Sequence, residues 1–155
     1  MAIRTGNGAN PKKKVYLISS LRKPEVPEIA NKIRKLGFIV FDDWFAAGPE
    51  ADDKWRDYEK ARGRTYQEAL QGLAADHVYQ FDLKHLNECD IAVLCLPTGK
   101  SGHLELGYVI GQGKRGYILL DNPERWDVMY KFAHGVFHKF KELKAELEKL
   151  KNEPA

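Results

Sequence analysis

Residues Asp90-Ile-Ala-Val-Leu-Cys-Leu96, then Pro97-Thr-Gly-Lys-Ser-Gly102, then His103 to Gln112, read as a strand, a tight loop and a helix. An apolar run bounded by Asp90 and Pro97 suits a strand covered on both faces, which is the habit of parallel sheets. Gly116 to Leu120 supplies the next strand. Upstream, Val15 to Ile18 is a short β-rich run that gives way to the polar Ser19-Ser20-Leu21-Arg22-Lys23-Pro24. Val26, Ile29, Ala30, Ile33 and Leu36 then recur at helical spacing before Gly37, a C-terminal stop, and Phe38 to Phe41 reads as another strand. Ala69, Leu73, Val78, Phe81, Leu83 and Leu86 predict one long or two broken helices between Thr65 and Glu88. Downstream, 123–133 is expected to be helical, 135–138 a brief strand and 139–151 an amphipathic helix. Residues 42–75 lack a firm period and read as an irregular insertion, with 42–64 a loop holding a short helix. The β-α-β order predicts a single α/β domain over 14–151, with a mainly parallel sheet flanked by helices and ligands outside the carboxyl ends of its strands.

The 155 residues and 17.7 kDa allow one domain, and 43% hydrophobic residues supply its core. The apolar run from Ile91 to Pro97 falls far short of the ~20 residues that span a bilayer, and the start has no signal-peptide apolar region. A cytoplasmic protein without membrane partners is therefore expected. The net charge of +3 is uneven: residues 1–14 carry four basic residues and no acid, and the rest sums to −1. The reading is a flexible basic leader over 1–13 ahead of a nearly neutral body, which argues against a nucleic-acid partner. Cys89 and Cys95 have the spacing of neither a disulfide framework nor a zinc site and are expected to pack as small apolar residues.

Several motifs are spelled without their context. Gly111-Gln-Gly113-Lys-Arg-Gly116 has the letters of a dinucleotide fingerprint, but it ends a helix and enters a strand, the reverse of what that motif needs. Gly99-Lys100-Ser101 lacks the earlier P-loop glycine, because Leu94 stands there. His134 and His138 have no acidic third ligand, so no metal is expected. Ser19 and Ser20 lie in no nucleophile elbow and suit ligand hydrogen bonds better. Trp44 and Trp55 serve equally well to stack on a planar base or to cap the core beneath a long loop.

Glu105 has a different standing. It sits inside the helix after the central strand, behind a loop with Gly99 and Gly102 whose amides face a ligand at the sheet's carboxyl edge. Its neighbours Leu104, Leu106, Gly107 and Tyr108 are not a polar face. Asp82 interrupts the Val78, Phe81, Leu83, Leu86 pattern and can reach the same crevice, with helix-surface exposure as the alternative.

These residues carry a resemblance. Ser101-Gly-His-Leu-Glu105-Leu-Gly-Tyr108-Val-Ile-Gly-Gln-Gly-Lys114 looks like the signature of the nucleoside 2-deoxyribosyltransferase superfamily, which includes deoxynucleoside 5'-monophosphate N-glycosidases. Asp82-Leu with Asn-Glu-Cys-Asp90-Ile-Ala-Val resembles the family's acidic helix residue and following strand, and Val15 to Arg22 is similar to its first strand and substrate loop. The resemblance implies a Rossmann-like or flavodoxin-like fold. It further implies cleavage of a nucleoside N-glycosidic bond, no cofactor, and a homo-oligomer, dimer or larger, whose sites are completed across subunits. By the same resemblance Glu105 attacks C1' of the sugar and Asp82 assists proton transfer at the base. Ser20, Arg22, Gly99, Ser101, Gly102, Trp44 and Asp127 are the expected substrate contacts. Two departures matter: Gly99 stands where the transferases have an acid, and Asp127 where the hydrolases place a small hydroxyl residue near a phosphate. Arg22 favours a 5'-phosphate and Asp127 a free sugar hydroxyl, so nucleoside against monophosphate stays open. A non-catalytic nucleoside-binding module is the alternative from another class.

Overall fold

A strand alternates its side chains between two faces, and here both faces are apolar. In β1 (Lys14–Ile18), Val15 and Leu17 enter one core cluster and Tyr16 and Ile18 the other. In β3 (Ile91–Cys95), Ile91, Val93 and Cys95 join the first and Ala92 and Leu94 the second. A sheet buried on both sides needs helices on both sides. α1 (Val26–Arg34) and α6 (Phe140–Lys151) cover one face through Val26, Ala30, Ile33, Leu143, Leu147 and Leu150. α4 (Leu73–Glu88) and α5 (Lys100–Gly111) cover the other through Leu86, Leu106 and Val109.

The computed structural model describes residues 11–122 and 125–154. Most of the basic leader, and the start of the expected 123–133 helix, lie outside them. With β2 (Ile39–Phe41), β4 (Arg115–Leu119) and β5 (Gly135–Phe137), the strands form one five-stranded sheet in the order β2-β1-β3-β4-β5. Every pairing is parallel, with Tyr16 beside Ala92 and Ala92 beside Gly116. This is the flavodoxin-like order, whose switch point lies between β1 and β3, where connections leave in opposite directions and a crevice opens at the carboxyl edge. The chain therefore has the α/β fold read from its sequence. Ser19 Oγ donates to Cys95 O at 2.8 Å and ties the ends of these two strands together at that edge. Among the described residues no helix is long and apolar enough to cross a membrane.

Two stretches differ from expectation. Residues 42–72 are largely helical: a 3-10 helix (Asp43–Ala47), the eleven-residue α2 (Ala51–Ala61) and the short α3 (Tyr66–Leu70). α2 has only a narrow apolar stripe, Ala51, Trp55 and Tyr58, and its one buried residue is Glu59, held by Arg62 at 3.4 Å and Arg64 at 3.3 Å. A charged anchor is invisible to hydrophobic periodicity. Thr65 starts α3 with a reciprocal capping box to Glu68. Conversely, the expected helix at 123–133 is only a 3-10 turn (Val128–Phe132), because its apolar residues are mostly exposed and give no face to bury. The Gly111–Gly116 stretch ends α5 and enters β4 as read, with Gly113 at φ +84°. Cys89 and Cys95 are free and buried, as expected.

α5 begins at Lys100, so Ser101 and Gly102 lie on the helix and not in the loop before it. Gly102 lets that helix approach β1: a Cβ there would stand 2.6 Å from Thr98 Oγ1 and 2.8 Å from Ile18 Cγ2. Gly102→Ala should therefore lower stability by ~1–3 kcal/mol through overpacking. Urea denaturation checks this, and an unchanged midpoint would show that the close approach is not required.

Candidate active site

Three side chains meet beneath the crevice, each from a different element. On α5, Glu105 lies three residues after buried Gly102 and four before buried Val109, which turns it inward. On α4, Asp82 lies four residues before buried Leu86 and is turned the same way. Tyr16, fully buried on β1, rises from the sheet face these helices cover. Its hydroxyl donates to Glu105 Oε2 at 2.7 Å. Asp82 Oδ1 is buried and has no hydrogen-bond partner among the described residues.

The surroundings are aromatic. Phe41 lies 4.9 Å from the Tyr16 ring and 5.6 Å from Phe81, and it stacks on His85 at 3.8 Å between centroids. Tyr16 and Phe41 are buried, and burial of this kind penalises charge. Burial accordingly pushes Asp82 up to about 6. Burial also pushes Glu105 up to about 7; donation from Tyr16 opposes this by favouring the charged form, and the Asp82 charge adds to it. Tyr16 is held far above the ordinary phenol range by burial and then by the Glu105 and Asp82 charges, so it remains a protonated donor. Two carboxyls raised toward neutrality beside a fixed donor can supply acid/base and nucleophilic chemistry.

The other expected site residues are distributed as follows. Gly99 caps the start of α5, and its carbonyl lies 2.8 Å from His103 Nδ1. Ser101 is exposed on the first turn. Ser20 Oγ accepts from the Arg22 amide at 3.1 Å, which shapes the loop after β1. The Arg22 guanidinium reaches Asp53 on α2 at 3.4 Å. Trp44 Nε1 donates to Leu17 O at 2.8 Å and its ring packs on both core clusters, so its contacts are those of a core cap. Asp127 caps the 128–132 turn through Met129 N at 2.8 Å. It lines an apolar pocket of about 520 Å³ with His103, Leu106, Ile110 and Tyr130, along a different stripe of α5 from Glu105. His134 Nδ1 takes the Gly116 amide at 3.1 Å. The residue missed from sequence is Tyr16. A tyrosine within an apolar strand reads as core, and nothing in the strand says which helix its hydroxyl will meet.

No protein-family model and no curated protein matches the sequence. A solved structure does match: the CMP N-glycosidase BcmB of Clostridium botulinum superimposes with a TM-score of 0.55 at 17% identity. The alignment covers 88% of this chain and 99% of that one. The chain shares the fold of BcmB. The match takes in nearly the whole of that protein.

The raised Glu105 carboxyl has a consequence for stability. Unfolded, the group ionises near its ordinary 4.5, and folded near about 7, so the native state binds the extra proton in between. Stability contributed by the protonated form is present below that window and lost as pH rises through it. Glu105→Gln keeps an acceptor for Tyr16 and cannot ionise. The variant should gain up to about 3 kcal/mol over wild type on going from pH 4 to pH 8. Denaturant titrations at the two pH values measure it, and an equal difference at both would contradict the burial of this charge.

Proposed function

We propose that this chain cleaves the N-glycosidic bond of a nucleoside or its 5'-monophosphate, as an enzyme of the nucleoside 2-deoxyribosyltransferase kind, with Glu105 as nucleophile. The observation that carries the reading is the buried Tyr16–Glu105 hydrogen bond beside an unpartnered Asp82, at the switch point of the sheet. The sequence around Glu105 resembles the family signature, and a protein of this fold bears the name CMP N-glycosidase.

The chemistry follows from the two carboxyls. Ionised Glu105 attacks C1' of the sugar and forms an ester as the bond from C1' to the base nitrogen breaks. The base leaves with the bonding electron pair and takes a proton from Asp82. Water or a second base then gives up a proton to the Asp82 carboxylate as it attacks the same carbon and expels Glu105, which restores both carboxyls. Two displacements at one carbon retain configuration. Tyr16 orients the carboxylate, and its donation stabilises the charged form that attacks. Capture by water is hydrolysis and capture by a base is transfer.

Self-association belongs to the same reading. Trp126, Val128 and Phe132 are 96%, 74% and 67% exposed, beside half-exposed Met129, which is more apolar surface than one turn ordinarily leaves to water. A dimer or larger assembly covers it, and light scattering that reports a 17.7 kDa particle at working concentration would contradict this.

Free base should be released from members of a panel of deoxynucleosides and their monophosphates, as read by chromatography. Glu105→Ala should lower kcat by several orders of magnitude with an unchanged circular dichroism spectrum. Near-normal turnover in that variant removes the assignment. Turnover needs Glu105 ionised and Asp82 protonated, so kcat/KM should follow a bell with its limbs between about 6 and about 7, belonging to the pair. Tyr16→Phe deletes a donor to the Glu105 carboxylate, the higher of the two groups, and should move the alkaline limb upward while lowering the maximum.

A further inference from the structure

The loop after β1, at the carboxyl edge of the sheet, meets the amino end of α2 through an exposed ion pair: Arg22 Nη2 lies 3.4 Å from Asp53 Oδ2. On the proposed reading Arg22 is the cation that meets the 5' end of a nucleotide. The other carboxylate oxygen of Asp53 lies 3.4 Å from Arg56 Nη1 one turn further along α2. Asp53 is thus held between two guanidinium groups. Of the other cations near this edge, Lys23 faces Glu25 at 4.0 Å and Lys100 opens α5. The segment from Asp42 to Glu59 carries seven acids against Lys54 and Arg56, a net charge of −5. This segment belongs to the insertion that matches the resembled family poorly, so its charge is a property of this chain.

We infer that Asp53 is a specificity-determining residue that holds the place of a 5'-phosphate on Arg22, so that the Glu105 site takes nucleosides with a free 5'-hydroxyl. The inference rests on the reading of that site as a nucleoside site. An exposed ion pair is weak and a ligand can break it. A phosphate dianion that does so leaves the Asp53 carboxylate displaced but still tethered within a few ångströms, among further acids, and like charges so placed repel. A hydroxyl has no such conflict, because it donates to the carboxylate where it stands. Asp53 therefore selects by what it refuses, which is the usual way a site separates two ligands sharing a scaffold.

Binding is the direct test, because it does not depend on turnover. Each common deoxynucleoside and its 5'-monophosphate are titrated calorimetrically into Glu105→Gln protein, with Asp53→Asn and with Asp53→Asn/Arg22→Ala added in turn. The inference expects the nucleoside to bind more tightly than its monophosphate. Asp53→Asn should raise monophosphate affinity roughly tenfold or more and weaken nucleoside binding severalfold, because a neutral amide oxygen is a poorer acceptor for the 5'-hydroxyl than the carboxylate. The gain should vanish when Arg22 is also removed. Tighter binding of the monophosphate before Asp53 is changed, or an unaltered ratio in Asp53→Asn, overturns the inference and leaves the nucleoside site standing. Absence of binding by every nucleoside and every monophosphate overturns both together.

Discussion

The hydrogen bond from Tyr16 to Glu105 joins the sheet to the helix that covers it, and much of the remaining architecture bears on this contact. A carboxylate taken out of water is costly unless a donor meets it. Here the donor comes from a strand and the acceptor from a helix, so the two align only if α5 lies close against β1. Gly102, without a side chain, permits that approach. The Ser19 bond to Cys95 O holds the neighbouring strand ends in line. Displacement of any of these pieces would leave the Glu105 charge buried without a partner, so the packing and the electrostatics of the crevice constrain each other.

The second carboxyl is treated differently. Asp82 Oδ1 is buried but has no hydrogen-bond partner among the described residues, and burial alone raises it. An unpaired buried oxygen is a stability cost that a fold without a use for it tends to lose. Glu105 is held by a donor and Asp82 Oδ1 has none among the described residues, so the two carboxyls differ in what they can offer a ligand.

The insertion between β2 and α4 contributes in a third way. Its anchor is the buried Glu59 with Arg62 and Arg64, so a segment with little apolar content is nevertheless packed into helices. Breaking such a cluster from one side strands a charge, which gives it geometric definition even where its net stabilisation is small. The α2 that results carries Asp52, Asp53 and Asp57, and Asp53 meets Arg22 on the loop after β1.

Hydrophobic patterning along the chain was enough to determine the alternation of strands and helices, the double-sided burial of the central strand, and the presence of acids at positions 82 and 105 within apolar surroundings. These are local signals, because a doubly buried strand and an inward helix stripe each announce themselves within a few residues. The helical insertion was hidden because Glu59 anchors it through charge, and the 123–133 stretch was overread because apolar letters there face outward. Tyr16 was legible as a core residue and not as a site residue. Which face of the sheet it occupies, and which helix lies over that face, depend on crossover connections between segments 89 residues apart. Only the tertiary structure decided that the Tyr16 hydroxyl, the Glu105 carboxylate and Asp82 come together under the helices of one sheet face, because long-range packing sets the distances and the burial that gather three scattered residues.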